Sequence, residues 1–219
     1  MSLIQKYQAI LPEVSKYGAT LIAVSKKKPA ADIKTLYDVG HRDFGENYIQ
    51  ELQDKMQVLP KDINWHFIGH LQSNKCKVVS ALVKEGYTLC IQTIDSIKLA
   101  KKLNSSIDGK LHVFIQVNIS EEATKSGILL KDCQKTVKTI KEECLQLNLI
   151  GLMCIGSSHH SRPNPEFLRM KSLVTELNQT FNLDLKLSMG MSDDYLHALE
   201  LGSNLVRIGS SIFGQRENQ

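Results

Sequence analysis

The sequence predicts an α/β fold, a single (β/α)8 TIM-type barrel over residues 1–219. Three observations lead there. Short apolar runs and amphipathic stretches alternate eight times at fairly regular intervals, and strand–helix alternation implies a parallel sheet. Composition does not shift along the 219 residues, so nothing marks a domain boundary, and one barrel of about 200–250 residues accommodates the length. No GxGxxG follows the first strand, which removes the usual dinucleotide fingerprint. Eight units favour closure, and the pattern alone leaves an open doubly wound sheet as the alternative.

The elements follow in order. Leu3, Ile4, Tyr7, Ile10, Leu11 and Val14 recur at helical spacing, giving an amphipathic helix over 3–17 that stops at Gly18. The apolar run 21–24 is the first strand, and Pro29 opens a helix over 30–39 closed by Gly40. A short strand at 43–45 leads directly into a helix starting at Glu46-Asn47-Tyr48 and ending before Pro60. The third strand is 65–69, followed by a helix capped by Ser73 and running to Glu85. The fourth is 88–92, followed by a helix capped by Asp95. Residues 111–118 make the clearest strand, and a polar loop, 120–127, precedes a long helix over 130–147. The sixth strand is 149–155, with a long irregular loop at 156–165 and a helix over 166–181. The seventh strand is 185–189, with a helix over 193–201 closed by Gly202, and the eighth is 205–208.

Composition narrows the function classes. Apolar residues at 42% and charged residues at 23% are ordinary for a globular protein. A net charge of +4 with scattered lysines gives no basic stripe for nucleic acid, and suits a small anionic ligand. Five cysteines without a CxxC pair read as reduced core residues. The N-terminus lacks a signal-peptide core and no run reaches membrane-spanning length. The expectation is a cytoplasmic protein.

The candidate chemistry begins at Lys26. Alternation in the first strand puts Ile22, Val24 and Lys26 on one face, so that an inward face delivers Lys26 to the carboxyl end of the barrel, where barrel enzymes keep their chemistry. A desolvated lysine beside a second cation, such as Lys28, is disposed to be a neutral amine that attacks a carbonyl. The KKK run taken by itself reads as a solvated loop. At the other end of the chain, Gly190-Met191-Ser192 and Gly209-Ser210-Ser211 follow the seventh and eighth strands, where barrels commonly hold phosphate. Ser192 and Ser210 offer hydroxyls, and Gly209 and Ser210 offer amides. Singly, Ser192 is a helix cap and Gly209 a turn. Acids Asp193 and Asp194 answer the dipole of the following helix and point away from an anion. Arg207 shares inward parity with Leu205; a structural salt bridge and a ligand contact are equally open readings.

An amine on the first strand, an arginine on the eighth and a phosphate cradle beside it describe a site for pyridoxal phosphate. The chain resembles the pyridoxal phosphate homeostasis protein family, whose fold is similar to the N-terminal barrel domain of alanine racemases. The carrying motifs are AVSKKKP at 23–29, FGENY at 44–48, WHFIGHLQSNK at 65–75, VNISEEATKSG at 117–127, GLM at 151–153, SMGMSDD at 188–194 and VRIGSSIFG at 206–214. The resemblance implies an internal aldimine on Lys26, a phosphate held by Ser192, Gly209 and Ser210, Arg207 facing the pyridine nitrogen, and Asn47 near the ring. It also implies that Lys125 lies close to the ligand or assists its transfer. A guanidinium has no acceptor and leaves a facing ring nitrogen unprotonated, which weakens the cofactor as an electron sink. Two features depart from the family: a short first helix, and the loop 155–160 with His159 and His160, read as exposed and not metal-binding.

The expectation is therefore a monomeric carrier and buffer of pyridoxal phosphate without turnover of its own, with no catalytic and no metal-ligating residues. Apo-enzymes that accept the cofactor are its partners, and neither nucleic acid nor membrane is. The chain reaches Gln219 soon after the eighth strand, leaving no length for the second domain of a racemase. A pyridoxal-phosphate-dependent amino-acid racemase is the first alternative. A class I aldolase-like barrel using Lys26 on a phosphosugar is the second.

Overall fold

The computed structural model describes residues 1–122, 124–157 and 164–214. Eight parallel strands close into a barrel in sequence order: β1 (Thr20–Val24), β2 (Asp43–Glu46), β3 (Asn64–Phe67), β4 (Thr88–Ile94), β5 (Leu111–Val117), β6 (Leu147–Cys154), β7 (Lys186–Met191) and β8 (Leu205–Ile208). Closure comes from β1 pairing with β8, with Thr20 opposite Leu205 and Ile22 opposite Arg207. The helices around it among the described residues are α1 (Leu3–Ser15), α2 (Ala30–Asp38), α3 (Ile49–Val58), α4 (Cys76–Lys84), α5 (Ile97–Asn104), α6 (Cys133–Glu143), α7 (Pro165–Phe181), α8 (Tyr195–Glu200) and α9 (Ser210–Phe213).

Strand alternation divides the core in two. Ile22, Cys90, Phe114, Met153 and Leu205 meet inside the barrel, while Leu21, Ala23, Val206 and Ile208 join the larger layer between sheet and helices. Burying a large aliphatic side chain contributes roughly 1.5–3 kcal/mol, so the one-residue parity of each strand is fixed by both layers at once. All five cysteines are buried and free. No helix among the described residues is long and apolar enough to cross a membrane.

Several boundaries differ from expectation. Strand β2 takes in Glu46, and α3 starts only at Ile49, so Asn47 and Tyr48 form the connection between them. The Ser73 side chain does not cap: residues 73–75 are a 3-10 turn before α4. The cap of α5 is Ser96, whose hydroxyl accepts from the Leu99 amide at 3.2 Å, because the Asp95 carboxylate pairs with His70 Nδ1 at 3.0 Å instead. The long sixth helix is shorter, since Leu147 already belongs to β6. Strand β7 runs on through Gly190 to Met191, and α9 is an element the sequence pattern did not indicate. His159 and His160 lie outside the described residues.

Candidate functional site

A cavity of about 270 Å³ opens at the carboxyl ends of the strands, near the lower end of the size range of small-molecule sites. Lys26, Asn47, Ser192, Arg207, Gly209 and Ser210 all line it, together with Lys28. The sequence thus points to six residues at or just beyond the carboxyl ends of four strands, β1, β2, β7 and β8, and the barrel brings them to one place. Lys26 arrives differently from the strand-parity expectation. Strand β1 ends at Val24, and Lys26 projects from the turn that follows.

Asn47 is held by close backbone approach. A Cβ on Gly69 would fall 1.9 Å from Asn47 O, so only glycine lets the loop after β3 lie against this connection. The Asn47 Oδ1 atom is buried and has no hydrogen-bond partner among the described residues. Gly209 sits against the end of β1, where an added Cβ would stand 3.2 Å from Val24 O. The loop bearing Gly209 and Ser210 is thereby pressed onto the β1–β8 seam beside Lys26.

Arg207 is 4% exposed. Its NH1 donates to Ser188 Oγ and its NH2 to Cys154 O, each at 2.7 Å, and no carboxylate forms an ion pair with it among the described residues. Of the two readings left open, the structural salt bridge is absent. Burial works against its charge, and the anchoring continues as a chain of hydrogen bonds across the barrel interior. Ser188 Oγ donates to Gln92 Oε1 at 2.7 Å, Gln92 Nε2 donates to His66 Nδ1 at 3.1 Å, and His66 Nε2 donates to Asp43 Oδ1 at 3.1 Å. Every hydrogen bond in the series points away from Arg207, towards the Asp43 carboxylate. That polarity is the one a buried guanidinium requires.

The two acids after β7 part company. Asp194 turns back, its Oδ1 accepting from the Met191 amide at 2.6 Å, whereas Asp193 lines the cavity, contrary to the expectation that both point away. Lys125 does not line this cavity. It borders an adjoining one of about 260 Å³ that shares Asn47, Ile68 and Ile155 with the first, and its Nζ pairs with Glu122 at 2.8 Å. Among the described residues no group of three or more His, Cys, Asp or Glu is placed to hold a metal ion.

Sequence reasoning missed what stands behind the turn. Glu46 is fully buried, its Oε1 accepting from Ser25 Oγ and from Lys55 Nζ, each at 2.6 Å. An acid followed by Asn-Tyr reads as the first turn of a helix, and only the strand assignment shows it to be interior. The barrel-crossing polar residues His66 and Gln92 were placed in the third and fourth strands by the sequence, but neither their inward orientation nor their connection was read from it.

The residues present suit an aldehyde-bearing aromatic phosphate. An amine, a donor-only guanidinium, and hydroxyl and amide donors on adjacent loops converge on one cavity, which Asn47 also lines. The family model described as "Alanine racemase, N-terminal domain" matches residues 3–217. A mouse protein named "Pyridoxal phosphate homeostasis protein" is 44% identical over 213 residues, covering 90% of this chain and 77% of its own. The Escherichia coli K12 protein of the same name is 40% identical, covering 90% of this chain and 86% of its own. Among solved structures, PipY of Synechococcus elongatus "with PLP bound" superposes with a TM-score of 0.84 at 29% identity, covering 97% of this chain and all of that one. An alanine racemase from Corynebacterium glutamicum, at 13% identity and a TM-score of 0.75 over 93% of this chain and 59% of its own, shares the fold.

Proposed function

The chain belongs to the pyridoxal phosphate homeostasis protein family, built on an alanine racemase N-terminal barrel, and on that premise we propose that it binds pyridoxal phosphate in the cavity at Lys26. Residues 1–219 act as one binding barrel. Lys26 Nζ takes the aldehyde. Ser192, Gly209 and Ser210 hold the phosphate through hydroxyls and amides, Arg207 faces the ring nitrogen, and Asn47 meets the ring side. The observation that carries the reading is the convergence of these six residues on a single cavity.

Bound pyridoxal phosphate supplies an electron-withdrawing ring and a reversible carbonyl. The chain's own residues restrain the first and exploit the second. Arg207 is locked by Ser188 and Cys154 and has only donors to offer, so it keeps the ring nitrogen unprotonated and the sink weak. Reversible capture without efficient carbanion chemistry is the behaviour of a carrier. The protein therefore buffers and carries the cofactor in the cytoplasm as a monomer, without turnover of its own, and hands it to apo-enzymes.

The test is the absorption spectrum of the full chain and of Lys26→Ala with added pyridoxal phosphate, followed by borohydride reduction and peptide mapping. A yellow band reduced onto Lys26 and absent from the variant is expected. Label scattered over surface lysines would overturn the reading. Sustained, Lys26-dependent interconversion of alanine or serine enantiomers would replace the carrier with a racemase.

A further inference from the structure

The turn that presents Lys26 is gripped from behind by a buried charged cluster. In this turn, residues 25–28, the Lys28 amide donates to Ser25 O at 3.0 Å, and Lys27 stands in the left-handed region at φ 58°. That conformation is disfavoured for a residue with a Cβ. Lys55 of α3, 6% exposed, directs its ammonium to Ser25 O at 2.8 Å, Glu46 Oε1 at 2.6 Å and Glu51 Oε1 at 2.7 Å, one for each of its three protons. Glu46 also accepts from Ser25 Oγ at 2.6 Å, and Glu51 from the Lys27 amide at 2.6 Å. Three of these bonds end on Ser25 and Lys27, the two neighbours of Lys26.

Such a cluster is a poor device for stability alone. Buried ions lose their hydration, and apolar side chains of similar volume commonly serve a fold as well or better. Here one ammonium faces two carboxylates, and Glu46 Oε2 is buried without a partner among the described residues. Charge supplies something apolar packing cannot: fixed donors and acceptors for the backbone on both sides of one residue.

We propose that Lys55, Glu46 and Glu51 are positioning residues for Lys26, holding the 25–28 turn so that its amine is delivered into the cavity. They act on ligands that react with that amine, and not on ligands that only fill the space. The inference rests on the reading of Lys26 as the residue that takes the aldehyde.

The experiment compares binding of pyridoxal phosphate with binding of pyridoxine 5′-phosphate, which has the same ring and phosphate but an alcohol in place of the aldehyde. It uses the full chain and the variants Lys55→Met, Glu51→Ala and Glu51→Gln. The Glu51 side chain is 22% exposed, so its variants keep the test decisive if Lys55→Met fails to fold. In Glu51→Ala, pyridoxal phosphate binding is expected to weaken about tenfold while pyridoxine 5′-phosphate stays within about twofold, and Glu51→Gln, which keeps an acceptor for the Lys27 amide, recovers most of the loss. Lys55→Met shows the larger selective loss. Equal losses for both ligands, or undiminished pyridoxal phosphate binding in Glu51→Ala, would overturn the positioning role and leave the cofactor reading standing. Failure of the unsubstituted chain to bind either ligand would overturn both.

Discussion

Glu46 holds a carboxylate where water does not reach, and burial pushes its pKa from 4.5 up to about 6 against the pull of Lys55 and Ser25. The folded chain therefore binds a proton here more readily than the unfolded chain between about pH 4.5 and 6. The stability that Glu46 contributes falls as pH rises through that window, by about 2 kcal/mol, and levels off above it. Denaturant titrations of the unsubstituted chain and Glu46→Gln across pH 4–8 should differ by this slope; a parallel pair of curves would refute it. At this scale Arg207 was legible as an inward strand residue because parity and unusual residue type coincide, whereas Lys26 reaches the cavity from the turn after β1 and not by parity. Glu46 was not, since nothing local distinguishes a buried acid from one in a solvated first turn. Burial there is decided by α3, whose Lys55 reaches back from nine residues further along. The cysteines were legible as core residues, and burial pushes the Cys154 thiol up to about 12, leaving no thiolate at neutral pH to react.

Elements carry the site by where they stop. The ends of β1, β2, β7 and β8 and the residues just after them supply most of the cavity lining, with Ile68, Met153 and Ile155 added from the ends of β3 and β6. The alternation of strands and helices was readable because period-two and helical spacing differ sharply. Terminal residues were harder, because several cap-type residues compete and tertiary partners choose between them, as His70 does in taking Asp95 and leaving the cap to Ser96. The tightest junction is between the loop after β3 and the β2–α3 connection. Gly69→Ala would place a methyl 1.9 Å from Asn47 O, forcing one backbone to move and costing about 1–3 kcal/mol. A lowered melting temperature with a shifted Asn47 amide resonance is expected; an unchanged Asn47 environment would show that the junction gives way elsewhere.

Across the whole molecule, the series from Arg207 through Ser188, Gln92 and His66 to Asp43 ties β8, β7, β4, β3 and β2 together inside the barrel. Gln92→Leu removes its centre, leaving the Ser188 hydroxyl proton without its acceptor and His66 Nδ1 without its donor, at a cost of about 1–3 kcal/mol. Chemical denaturation should record that loss as a lower midpoint in a single cooperative transition; no shift would mean that water replaces the amide. Barrel closure was legible only as a count of eight units, because no residue pattern announces which strand the first one meets. That meeting, Thr20 against Leu205 and Ile22 against Arg207, sets an order of construction. Lys26 leaves the ribosome early and Gly209 and Ser210 very late, and the two halves of the rim have no common wall until β8 docks on β1. During synthesis the pocket is the last thing to come into being, so a cavity able to accept a ligand certifies a chain completed through its eighth strand.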